Sequence, residues 1–118
     1  MLTTPQIADR LVTLCREQKF VEAYKELFSE DAESIDPIYV NQGPSKGLIN
    51  LIEREKQFLA KTQIHNITIS EPLITGNHFA VKLSMDFTHE VRGRVYLEEL
   101  CVYHIKGGKI AGQQFFID

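Results

Sequence analysis

The chain has 118 residues, 43% of them apolar and 25% charged, with a formal net charge of −3. This length and composition suit one domain, taken as residues 1–118, with a core that needs neither a metal nor a disulfide to hold it. No basic run exceeds two residues. The clustered Lys and Arg that displace counterions from nucleic acid are therefore missing, as is a basic amphipathic helix for a membrane surface.

Helices come first. Thr4 is placed as an N-cap with Pro5 at the first helical position, and Ile7, Leu11 and Leu14 then recur at helical spacing, flanked by Ala8, Val12 and Cys15. The pattern weakens over Arg16-Glu17-Gln18-Lys19 and resumes as a short second helix with Phe20, Tyr24, Leu27 and Phe28. Residues 29–37 (SEDAESIDP) read as a polar turn and a brief strand. Ser45 is the next N-cap expected. From it Leu48, Leu51, Ile52, Phe58 and Leu59 line one face of a third helix, with Glu53, Arg54, Lys56 and Gln57 on the other.

After Lys61 the period changes from helical to alternating. Ile64, Ile67 and Ile69 open a strand that runs to a turn at Gly76-Asn77. Next, Phe79, Val81, Leu83, Met85 and Phe87 share one face, and Ala80, Lys82, Ser84, Asp86 and Thr88 the other. Arg92-Gly93-Arg94 turns the chain into a strand from Val95 to Lys106. Gly107-Gly108 is a two-residue hairpin signal, and Lys109 to Ile117 completes the sheet.

The strand 95–106 carries apolar bulk on both faces: Leu97, Glu99, Cys101, Tyr103 and Ile105 on one, Tyr96, Glu98, Leu100, Val102 and His104 on the other. A sheet apolar on one side only would alternate cleanly, so both faces are expected to be covered, one by helices and one by a second subunit. The fold class is α+β: three N-terminal helices against a strongly curved antiparallel sheet, whose long strands must bend and leave a hollow.

Outside this pattern little carries chemistry. The N-terminus MLTTPQIADRL lacks the charged and apolar regions of a signal peptide, and no apolar run is long enough to span a membrane. Cys15 and Cys101 sit in apolar surroundings without a CxxC, which fits a cytoplasmic protein with reduced thiols, and the sequon Asn66-Ile67-Thr68 is then accidental. His65, His78, His89 and His104 make no metal-binding pattern, so no metal is expected. Gly43-Pro44-Ser45-Lys46-Gly47 has the ingredients of a phosphate loop without its spacing and reads as a turn.

The order of elements, with Phe20-Val21-Glu22-Ala23, Leu27 to Ala32, Ile35-Asp36-Pro37, Ser45-Lys46-Gly47 and Gly107-Gly108-Lys109-Ile110, resembles the nuclear-transport-factor-2-like superfamily over essentially the whole chain. Its cone-shaped α+β roll is shared with ketosteroid isomerases and SnoaL-like polyketide cyclases. The resemblance implies a dimer and an apolar molecule inside the cone. It also places Asp36 where the isomerase carries its general base. The isomerase's oxyanion-hole tyrosine and protonated aspartate fall on Val12 and on or near Cys101, leaving two of its three roles vacant.

Asp36 itself admits two readings. The residue before proline is held extended, so its carboxylate is fixed in direction and suited to act as a base at a cavity rim. It equally suits a strand end, bonding nearby amides. A second constellation, Glu99, Cys101 and Tyr103 with Gln113 and Phe115 on the next strand, faces the cone by the same register; the opposite parity would send Glu98 inward instead. Phe58, Met85 and Phe87 would line the deeper wall, with Tyr24 and Tyr39 capping the cavity. The expectation is a small-molecule-binding protein with Asp36 or Glu99 as acid–base group, working without a cofactor by proton transfer beside a carbonyl as an isomerase, cyclase or dehydratase. The alternative is a non-catalytic dimeric binding or interaction module whose cavity is filled by its own side chains.

Overall fold

The computed structural model describes residues 1–37 and 45–117. Two helices, α1 (Thr4–Arg16) and α2 (Phe20–Leu27), lead into strand β1 (Phe28–Ile35). The short strand β2 (Ser45–Lys46) then precedes helix α3 (Leu48–Ala60). Five strands follow: β3 (Thr62–Ile69), β4 (Leu73–Thr75), β5 (His78–His89), β6 (Gly93–Lys106) and β7 (Lys109–Ile117). The three expected helices and the α+β class are present.

The caps differ from the sequence reading in two places. α1 is capped by Thr3, not Thr4: the Thr3 side chain accepts from the Gln6 amide at 3.3 Å, and Gln6 Oε1 accepts from the Thr3 amide at 2.9 Å. This reciprocal box satisfies two otherwise orphaned donors and outranks a Thr that has Pro immediately after it. α3 is capped by Gly47 rather than Ser45, which lies in β2. Gly47 has φ 96°, a conformation that side-chain-bearing residues rarely adopt, and its amide donates to Ala32 O at 2.9 Å. That bond joins the start of α3 to β1. Between α1 and α2, Gln18 takes a left-handed conformation (φ 60°), while Gln18 N–H donates to Cys15 O and Lys19 N–H to Leu14 O, ending the first helix.

The sheet has the order β2-β1-β7-β6-β5-β3, with β4 added beside β5. It is curved, unclosed and mixed: among the described residues every pairing is antiparallel except β1 with β7, which is parallel. The wholly antiparallel sheet expected from sequence is corrected at this one seam. A parallel pair needs a long crossover, and here residues 36–108 lie between the two strands. The long strand expected over 64–75 is also broken, because Glu71-Pro72 separates β3 from β4 and proline cannot donate to the ladder.

β5 and β6 pair from His78↔His104 to His89↔Gly93, and Gly107 and Gly108, both at positive φ, close the β6–β7 hairpin. In β3 a register shift between Ile64 and Asn66 lets both Ile64 and Ile67 face inward, opposite Phe87 and Met85. The helices cover the inner face of the sheet. Ile7, Leu11 and Leu14 of α1, Leu27 of α2, and Phe79, Val81 and Phe87 of β5 form a continuous buried core. Toward α3 the packing opens, because Leu51 is the only residue of that helix fully buried among those described.

Candidate functional site

Between α3 and the inner face of the sheet lies a cavity of about 150 Å³. Its wall is mainly apolar: Leu11 and Cys15 from α1, Phe20, Ala23 and Tyr24 from α2, Phe28 from β1, and Leu83, Met85 and Phe87 from β5. The alternation of β5 puts Phe79 to Phe87 inward as a set, and all five odd-numbered side chains are buried. β6 contributes Leu97, Glu99, Cys101 and Tyr103, and β7 contributes Gln113 and Phe115. Glu99 thus faces the cavity and Glu98 is exposed. Tyr39 lies outside the described residues.

The helix α3 adds residues that the sequence reading placed elsewhere. Leu51, Arg54, Glu55 and Phe58 follow at spacings of three, one and three, forming one helical stripe that borders the cavity. Arg54, expected on the outer face, is half-buried here and donates a hydrogen bond to Ser45 Oγ of β2. Glu55 was not singled out at all. Phe58 meets the Phe87 ring edge-on at 5.5 Å, so this stripe packs against the C-terminal end of β5.

Three carboxyl groups therefore border one apolar hollow: Asp36 just after β1, Glu55 on α3 and Glu99 on β6. Burial raises the pKa of Glu55 to about 7, and the negative charge of Asp36 adds to the rise. Glu99 is also raised to about 7, first by burial, then by Asp36, with a smaller upward push from Glu55; the Cys101 thiol, donating to Glu99 Oε1 at 3.5 Å, pulls the other way. Among the described residues no hydrogen-bond donor meets Glu55. Nor do three His, Cys, Asp or Glu side chains among them converge as a metal ion requires.

The remaining polar groups are tied to one another. Gln113 Nε2 donates to Tyr24 Oη at 2.8 Å and to Ser34 Oγ at 3.0 Å. Ser34 and Gln113 face each other across the parallel β1–β7 pairing, and they are only 4% and 6% exposed. Buried polar groups must be paired to be tolerated, and this trio binds α2, β1 and β7 at one wall of the cavity. Ser34 was missed because an isolated serine in a polar segment carries no sequence signal. Tyr24 and Tyr103 are both raised well above the ordinary phenol by burial, and Cys15 is pushed up to about 12 for the same reason. Cys101, raised by burial and then by Glu99, stays a thiol and is no activated nucleophile. Val12 is buried in the core.

A family model described as the SnoaL-like domain matches residues 2–117. The chain belongs to the SnoaL-like domain family. A proposed SnoaL-like polyketide cyclase of Mesorhizobium loti superimposes on this SnoaL-like chain with a TM-score of 0.91 at 23% identity, over 98% of this chain and 99% of that one. A proposed polyketide cyclase of Pseudomonas putida gives 0.74 at 15% identity, over 100% and 93%. A Catenulispora acidiphila protein with a ketosteroid isomerase-like fold, solved in complex with trimethylamine, gives 0.73 at 16% identity, over 97% and 86%. At these identities the likeness is one of fold. No curated protein matches the sequence significantly.

A raised carboxyl has a defined effect on stability. The folded state holds protons on Glu55 and Glu99 that the unfolded chain releases near its ordinary pKa of 4.5. Stability is therefore lost as pH rises from about 4.5 to about 7 and levels off above that. Glu55→Gln and Glu99→Gln should each raise the unfolding free energy at pH 8 by an amount on the order of 1–3 kcal/mol and change it little at pH 4.5. Equal effects at both pH values in denaturant melts would show the carboxyls to be solvated.

Proposed function

We propose that this SnoaL-like chain binds a small, largely apolar molecule in its cavity and catalyses cofactor-free proton transfer beside a carbonyl: an isomerisation, an aldol-type cyclisation or a dehydration. The observation that carries the reading is the grouping of Asp36, Glu55 and Glu99 around one apolar hollow, with the last two pushed towards neutrality in charge. Such chemistry needs a base that is ionised and an acid that is protonated near the same pH. Asp36 takes the first role. Its carboxylate removes a proton from the carbon next to the carbonyl, while the Glu99 carboxyl gives its proton to the carbonyl oxygen, leaving an enol. From a β,γ-unsaturated ketone the resulting dienol takes the proton back from Asp36 at its γ carbon while its O–H returns the other proton to Glu99, which moves the double bond. In a dicarbonyl the enol carbon attacks the second carbonyl, whose oxygen takes the proton from Asp36 as the enol O–H returns its own to Glu99. The open volume of about 150 Å³ counts against the alternative of a cavity filled by the protein's own side chains. It also favours a one-ring compound, since an apolar cavity of about this size accommodates benzene.

The reading extends to assembly. Tyr96, Leu100 and Phe116 are 67%, 46% and 50% exposed on the outer face of the sheet, where Leu100 pairs with Phe116 across β6 and β7. A second copy of the chain is proposed to cover this patch, in the cytoplasm, where Cys15 and Cys101 stay reduced. Leu100→Glu should convert a dimer to a monomer in sedimentation velocity without loss of the fold; a monomeric parent would overturn the assignment.

Catalysis can be tested before the substrate is known. Acetophenone and cyclohexanone, incubated with the protein in D2O, should gain deuterium beside the carbonyl faster than in buffer. Asp36→Asn should lower that rate by about 100-fold or more while its melting temperature changes little. No exchange above buffer, or equal rates for parent and variant by NMR, would contradict the proposal.

A further inference from the structure

We propose that the occupant of the cavity carries a positively charged nitrogen: a compact ammonium compound of about six to eight heavy atoms, the size that an apolar cavity of this volume admits. This inference rests on the reading that the cavity receives a ligand, and it names the ligand's charge.

Three carboxyl groups border the hollow and, among the described residues, one guanidinium, that of Arg54, which donates to Ser45 Oγ of β2. Glu55 is the decisive side chain. Its half-buried side chain borders the cavity, and its carboxyl meets no hydrogen-bond donor among the described residues. A buried carboxylate without a partner is costly, and a cation entering the hollow would supply one. One helical turn further along α3 stands Phe58, with Phe87 against it at 5.5 Å. The face of an aromatic ring attracts an ammonium group that has shed its water, and Phe28 and Phe115 border the same cavity. A neutral guest would leave Glu55 either charged and unpaired or protonated. An anion would meet three carboxyls. The charge of the wall thus selects for a cation, and its apolar area selects for one carrying methyl or ring carbon.

The remaining titratable groups on the wall are Tyr24, Tyr103, Cys15 and Cys101, all raised by burial and neutral through the physiological range. Glu55 lies near 7, so a cation that binds its ionised form binds more tightly as pH rises from 6 to 8 and displaces a proton as it does so, while Glu99 keeps its role as the acid.

The test compares choline with 3,3-dimethyl-1-butanol, its neutral isostere, by NMR titration of the 15N-labelled full chain at matched chloride concentration. Choline should shift amide signals around the cavity, including those of Leu51, Phe87 and Glu99, and bind at least about tenfold more tightly than the alcohol. Glu55→Gln should abolish that preference, whereas the exposed Glu22→Gln on α2 should leave it unchanged. If Glu55→Gln fails to fold, the rise in choline affinity with pH carries the test. Equal or tighter binding of the alcohol overturns the cation assignment while leaving the cavity a ligand site. Failure of both compounds to shift any cavity signal at millimolar concentration overturns the ligand reading along with it.

Discussion

The structure turns on the electrostatics of carboxyl groups around a small apolar hollow. Asp36 stands at the edge of the cavity, and burial first, then its negative charge, lifts Glu55 and Glu99 to about 7. Remove the apolar wall and all three would be ordinary surface acids. Remove Asp36 and the other two would lose a like-charged neighbour and fall in pKa. The wall and the charge are supplied by different parts of the fold: β5 and β6 give the apolar surface, α3 carries Glu55, and the end of β1 carries Asp36. Nothing local in any one of these elements produces the site.

What holds them in place is the seam where β1 lies parallel to β7. Gln113 bridges Tyr24 and Ser34 there, and the Gly47 amide ties the start of α3 to Ala32 of β1. The two contacts fix α2 and α3 relative to the strand that leads into Asp36. A buried, fully paired polar trio tolerates little displacement, because any broken bond leaves a polar group stranded away from water. The hollow is thus bounded on one side by close-packed rings and on the other by hydrogen bonds, and it is left open between them.

The strands of β5 were legible because residues 79–87 alternate without exception, and Gly107-Gly108 announced the last hairpin. The inward direction of Glu99 was harder to read. β6 is apolar on both sides, and only the finished fold separates the buried set, Cys101, Tyr103 and Ile105, from the exposed Tyr96 and Leu100. The parallel seam left no mark in the sequence, since a strand's composition does not name a partner some 80 residues away. Glu55 did leave a mark. The stripe of Leu48, Leu51, Ile52, Phe58 and Leu59 has a gap where position 55 should contribute, and a charged residue in an inward gap points to a lined cavity rather than to a broken helix face. Arg54, on the shoulder of the same stripe, could be assigned to solvent only by ignoring the reach of its side chain.

The most direct test of this account is a 13C NMR titration of the Glu55 and Glu99 side-chain carboxyls, in the parent chain and in Asp36→Asn. The account predicts midpoints near 7 for both groups in the parent and lower midpoints for both in the variant. Midpoints near 4.5 in the parent, unmoved by the substitution, would mean that the two carboxyls are solvated and that the proposed acid–base site does not exist.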